Sequence, residues 1–121
     1  QVSHCGEQLG SDHYTKLMCC WGEDWRGFLE HIEANRHETQ LDQWEFQMQT
    51  RVLDRIGVEN YVLATDGISP DVMDKIAVTP APGEGDAAAR AQRFIDEFCA
   101  ANPEARIAVI PDGPYTMLRR K

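Results

Sequence analysis

Tyr61-Val62-Leu63-Ala64-Thr65-Asp66-Gly67, running on into Ile68-Ser69-Pro70-Asp71, decides the fold. Its first four residues are a compact apolar run, preceded by Gly57 and closed by Asp66-Gly67. A run of that length and composition reads as a buried parallel strand rather than a helix. Ser69-Pro70-Asp71 is then a helix start, with Ser as N-cap, Pro at the first helical position and an acid after it.

Upstream of this strand the period is helical. Ser11 is a good N-cap and Asp12 suits the positive end of a helix. Tyr14, Leu17, Met18 and Trp21 give that helix its apolar period, and Gly22 ends it. Glu23 and Asp24 open a second helix, with Trp25, Phe28, Leu29 and Ile32 on one face. Residues 34–37 break the pattern. Thr39 or Asp42 caps a third and longest helix, ended by Gly57, whose apolar positions are Leu41, Trp44, Met48, Val52, Leu53 and Ile56. Gln1 to Cys5 reads as the tail of a strand entering the loop Gly6 to Gly10.

Downstream, the helix from Pro70 runs to Ile76, and prolines 80 and 82 keep Val78 to Pro82 extended. Asp86 caps a helix with a buried stripe of Ala87, Ala91, Phe94, Ile95, Phe98 and Cys99, stopped by Asn102-Pro103. Arg106 to Ile110 reads as another buried strand, followed by the turn Pro111-Asp112-Gly113-Pro114. Strands alternating with helices imply an α/β fold. The expectation is a small parallel sheet of three to four strands with helices packed on it, a Rossmann-like three-layer domain.

The 121 residues make a single α/β domain, 1–121, with 42% hydrophobic content to build a core. The chain opens at Gln1 with what reads as a strand already under way, so it is expected to be part of a longer protein. A formal charge of -8 argues against polyanionic partners, both nucleic acid and anionic membrane. Apolar runs such as Ile107-Ala108-Val109-Ile110 fall far short of the about 20 residues of a membrane span. Cys5, Cys19, Cys20 and Cys99 show neither a disulfide-scaffold pattern nor zinc spacing, and read as reduced thiols in a cytoplasmic protein.

Several constellations invite a chemical reading. Gly6 to Ser11 sits between strand and helix, where α/β proteins bind ligands, yet it lacks the third glycine of a dinucleotide fingerprint and Glu7 would repel phosphate. His4 and Cys5 are a Cys/His pair, but neighbours on a strand point to opposite faces. His31 and His37 lie among Glu30, Glu33 and Glu38, which reads as a solvated acidic face more readily than a metal site. Asp66-Gly67 and Asp112-Gly113 each follow a strand and either face a ligand or cap turns. Asp42-Gln43-Trp44-Glu45-Phe46-Gln47 is the most distinctive stretch. Gln43 and Gln47 share a helix face, and a pair of amides beside a Trp suits a small polar ligand; the alternative makes Trp44 core and the glutamines solvated.

In order and spacing these pieces resemble the C-terminal domain of the nickel-dependent lactate racemase family. They are His4-Cys5-Gly6 with Leu9-Gly10-Ser11, Asp42-Gln43-Trp44-Glu45, Val62-Leu63 with Ser69-Pro70-Asp71, Thr79-Pro80-Ala81-Pro82, and Val109 to Thr116. The resemblance covers essentially the whole chain. It implies a part in racemising or epimerising 2-hydroxy acids through a nickel pincer cofactor, with hydride taken from one face of the substrate and returned to the other. It also implies that the cofactor-tethering Lys, the nickel-binding His and the catalytic histidines belong to an N-terminal domain, the main partner, so that this fragment alone holds no cofactor or metal and is inactive. None of His4, His13, His31 or His37 matches a catalytic position. What carries over is Gln43 as a substrate-binding residue and Trp44 as a pocket wall, with a small 2-hydroxy acid as substrate. Lactate-acting relatives place a basic residue one turn after that Gln. Phe46 stands there, which implies a carboxylate contact that is missing or comes from elsewhere. The competing reading is a free-standing, non-catalytic α/β module binding a small ligand or a protein partner.

Overall fold

The computed structural model describes residues 1–111, 113–116 and 119. Three helices come first: α1 (Asp12–Trp21), α2 (Trp25–Ala34) and α3 (Gln43–Ile56). Strand β1 (Val62–Leu63), the short helix α4 (Pro70–Met73), strand β2 (Thr79–Pro80) and helix α5 (Ala87–Ala101) follow. Single 3-10 turns lie at Val58–Asn60 and Gly113–Tyr115.

The helix starts follow from their capping chemistry. Ser11 Oγ accepts the Tyr14 N–H at 2.9 Å, Asp24 Oδ1 that of Gly27 at 3.1 Å, and Asp86 Oδ1 that of Ala89 at 2.8 Å. Each satisfies an amide with no partner inside its own helix. Ser69 departs from this pattern. Its carbonyl, not its hydroxyl, takes the N–H groups of Val72 and Met73.

β1 and β2 run parallel, with Val62 opposite Thr79 and Leu63 opposite Pro80. Val2 adds a parallel bridge to Ala64 on the other edge of β1, fixed by Ser3 N–H to Ala64 O and Ala64 N–H to Gln1 O. Successive residues on β1 face opposite ways. Leu63 points into a core with Leu17, Met18, Trp25, Phe28, Phe46, Leu53, Ile68 and Ile76, built by α1, α2 and α3. Val62 and Ala64 point toward Ala81, Ala87 and Ala91, the small residues that let α5 approach the other face.

The chain is mixed α/β with a parallel sheet, but that sheet is smaller than the three to four strands expected. Among the described residues it holds two strands and one bridge. Arg106 to Ile110 is not a buried strand: it is unpaired, and Val109 is 84% exposed. A strand needs a neighbour offering free N–H and C=O groups over several residues. Gln1 to Cys5 offers one bridged position. The C-terminal half of α5 consequently lacks a cover, and Ile95, Phe98 and Cys99, expected in its buried stripe, are exposed. The short extended piece around Thr79-Pro80, by contrast, is a true strand.

A second correction concerns α3. Its buried residues are Phe46, Thr50 and Leu53. Leu41, Met48, Val52 and Ile56, read as apolar positions of this helix, are exposed, and so is Trp44, for which core and pocket wall were the alternatives. Both sets follow a helical period, and only one can face α1 and α2. Phe46 takes that face, its ring packed at a tilt against Phe28 with 4.8 Å between centroids, and Phe28 is itself fully buried.

Candidate functional site

The first three residues of the Asp42-Gln43-Trp44 motif point three different ways. Asp42 has a left-handed backbone, φ 60°, and its carboxylate does not cap α3. It turns to α1 instead. Ser11 Oγ donates to Asp42 Oδ2 at 2.6 Å, and His13 Nδ1 lies 3.7 Å from the same oxygen. The starts of α1 and α3 are thereby tied together. Gln43 folds back over the preceding loop, where its Oε1 accepts the Gln40 N–H at 3.1 Å. Its two Nε2 protons have no partner among the described residues and remain available to an acceptor. Trp44 is 67% exposed and points away from the core.

Gln43 opens a groove of about 390 Å³ between α3, the end of α2 and the loop joining them. Gln47 and Arg51 continue its α3 wall, at four-residue spacing. Leu29 and Ile32 of α2 form an apolar side, and Glu33, Arg36, Glu38 and Thr39 the rim. That volume is within the range of small-molecule sites. The structure therefore brings Gln43 and Gln47 together, as expected. It leaves Trp44 outside the groove and Phe46 beneath it in the core. Arg36 and Arg51 line it without having been expected there. The available signal for Arg51 was its place at i+8 from Gln43 and i+4 from Gln47.

The strand ends form a second hollow, of about 450 Å³, lined by Thr65, Asp66, Asp74 and Arg90 among others. Two of its charges, Asp66 and Arg90, are engaged with one another. Asp66 Oδ2 accepts the Ala87 N–H at 2.9 Å, and Arg90 donates to Asp66 Oδ1 at 3.1 Å. Arg90 also donates to the carbonyls of Thr65 and Gly85, each at 2.6 Å. Asp66 thus anchors the start of α5, the turn-capping role rather than the ligand-facing one. Gly67 lies against the carbonyls of His4 and Cys5, so the first loop and this one do adjoin. Asp112, expected on the same edge, lies outside the described residues.

Two tyrosines sit between the helices and the sheet. Burial, with Glu45, Tyr61 and Asp42 adding to it in that order, pushes the Tyr14 hydroxyl up to about 12 from 10.0. Burial, and then Cys5, also raises Tyr61. The Tyr14 hydroxyl donates to Gln49 Oε1 at 3.5 Å and that of Tyr61 to Gln1 Oε1 at 2.8 Å. Both are neutral donors at ordinary pH and hold elements together. Among the described residues no three His, Cys, Asp or Glu side chains converge as metal ligands, so the donor set does not fit a nickel ion. His31 packs at a tilt against Trp21, 5.0 Å between ring centroids, while His13 faces Asp42. No helix among the described residues is long and apolar enough to cross a membrane.

Comparison with known proteins agrees with the motif order. Residues 1–117 match the family described as the lactate racemase C-terminal domain. A lactate racemase from Thermoanaerobacterium thermosaccharolyticum is 31% identical over 90 residues, which is 74% of this chain and 19% of that relative. The chain thus spans about a fifth of the length of the curated relative it matches. No solved structure matches. Matched by that family over residues 1–117, the chain belongs to the lactate racemase C-terminal domain family.

Proposed function

We propose that residues 1–121 are the substrate-capping C-terminal domain of a 2-hydroxy acid racemase or epimerase. The observation that carries this reading is the two-sidedness of α3. Its inner face is core, while Leu41, Trp44, Met48, Val52 and Ile56 line the outer side with exposed apolar surface, beginning beside the Gln43 groove. An apolar stripe of this kind on a soluble helix marks a docking face. In this reading it seats against the N-terminal domain of the same protein, and closure brings Gln43 and Trp44 over the substrate. Trp44 becomes a pocket wall only in that closed arrangement.

The nickel pincer cofactor of the family would supply the hydride transfer, and it would be held outside this domain, whose donor set does not fit it. The domain's own work is to bind, orient and exclude water. The Gln43 Nε2 protons donate to a substrate oxygen, and the apolar stripe keeps the closed cleft dry. Four unpaired cysteines, two of them exposed, suit a reducing cytoplasm.

The test is Gln43→Ala in the intact protein. A hydrogen bond to an ionised or reacting oxygen is worth about 1.5–3 kcal/mol, so kcat/KM for 2-hydroxy acid racemisation falls by about 10- to 100-fold. The melting temperature stays within a few degrees, because Gln43 is only half-buried. Normal kinetics in that variant would sink the reading.

A further inference from the structure

The groove has the polar groups for a hydroxyl, yet a 2-hydroxy acid is an anion at neutral pH and needs a cation as well. The position one turn after Gln43 does not supply it. Phe46 is fully buried and packed against Phe28. A domain of formal charge -8, with Glu33 and Glu38 on the groove rim, repels a carboxylate unless a positive group stands close by.

Two arginines line the groove. Arg36 stands 3.7 Å from Glu33 and is partly neutralised by it. Arg51 has no hydrogen-bond or ion-pair partner among the described residues. It sits on the same edge of α3 as Gln43 and Gln47, about 6 Å along the axis from Gln47 and about 12 Å from Gln43. Side chains on a helix lean toward its N-terminus, so the Arg51 guanidinium is directed back over Gln47 and the groove. Its planar fork matches a carboxylate with two parallel N–H donors.

We infer that Arg51 is the carboxylate anchor of this domain, two turns along α3 from Gln43, in place of the basic residue that Phe46 displaces. The inference rests on the reading of the groove as the substrate face. In this arrangement the carboxylate lies at Arg51 and the 2-hydroxyl within reach of the Gln47 amide, with Gln43 farther along the groove. The remainder of the acid lies against Leu29 and Ile32. Those two residues favour an apolar side chain larger than the methyl of lactate.

The experiment measures steady-state racemisation of 2-hydroxy-4-methylpentanoate by the intact protein, with the corresponding uncharged 2-hydroxyamide as a competitive inhibitor. In Arg51→Met, KM rises about tenfold or more, the loss of a charge-assisted hydrogen bond, while kcat changes by less than about twofold. Arg51→Lys, which keeps the charge without the fork, falls between wild type and Arg51→Met. The amide's inhibition constant is the same in all three. An unchanged KM in Arg51→Met alongside an impaired Gln43→Ala would overturn the Arg51 assignment and leave the groove standing. Unchanged kinetics in both variants would overturn the two together. Equal weakening of acid and amide by Arg51→Met would also overturn it, because packing rather than charge would then be at work. Arg51 is exposed and outside the core, and a melting curve of each variant separates a folding defect from a binding one.

Discussion

Placing a basic residue at position 46 would restore the basic position that the resemblance to lactate-acting relatives implies, and the packing around Phe46 opposes it. Phe46 is 0% exposed, at the centre of the packing between α1, α2 and α3, with its ring 4.8 Å from that of Phe28. Phe46→Ala removes a whole buried aromatic side chain and leaves a cavity, for about 3–5 kcal/mol. Near 120 residues each kcal/mol moves the melting temperature by about 4 °C, so the expected drop is about 12–20 °C. Phe46→Lys loses the same packing and also buries an ammonium with no partner, adding several kcal/mol more. Against a total stability of about 5–15 kcal/mol this unfolds the domain or leaves it aggregated. Phe46→Leu, which fills most of the volume, costs about 1–2 kcal/mol. Thermal unfolding followed by circular dichroism on the three variants gives the order Leu, Ala, Lys. A folded Phe46→Lys protein melting within a few degrees of wild type, with improved affinity for lactate, would refute the burial of this position and the carboxylate argument built on it.

Gly67→Ala should destabilise: the added Cβ collides with the backbone carbonyls of His4 and Cys5, which cannot swing aside, for about 1–3 kcal/mol by denaturant titration. At an unstrained site the same change would raise stability, so the sign alone decides whether the segment from Gln1 to Cys5 packs on this loop. Because Tyr14 is raised from 10.0 to about 12, its contribution to stability is complete below pH 10 and is lost as pH climbs from 10 to about 12. Urea midpoints at pH 9 and 11 should therefore differ more in wild type than in Tyr14→Phe, and equal differences would place Tyr14 in solvent.

Much of the fold was readable because its signals are local. Ser11, Asp24 and Asp86 cap helices through side-chain oxygens, Gly22 and Gly57 end them, and Tyr61 to Ala64 carries the apolar density of a covered strand. What misled was a signal that depends on the neighbour. Arg106 to Ile110 has the composition of a buried strand, but composition cannot say whether an adjacent strand is long enough to pair with it. The C-terminal half of α5 went wrong for the same reason, since its stripe is apolar at the right period and lacks only a surface to rest on. Sequence period reports which residues would bury together, not whether anything is there to bury them.

α3 shows how that ambiguity becomes functional. Phe46, Thr50 and Leu53 form one buried line, and Trp44, Met48 and Val52 form an apolar one on the far side. A helix serving a single core needs one such line. The second is explained by a second surface, and the residues between the two lines, Gln43, Gln47 and Arg51, are then the ones that meet whatever lies at that junction. This is why the site was half legible. Gln43 and Gln47 were recognisable as a pair of amides sharing a helix face. Trp44 stood open between core and pocket wall because its spacing fits either, and Arg51 carried no reading of its own. Only the choice of Phe46 as the inward residue turns Trp44 outward and sets Arg51 beside the groove. One packing decision, Phe46 on Phe28, thus orients every candidate contact along the helix.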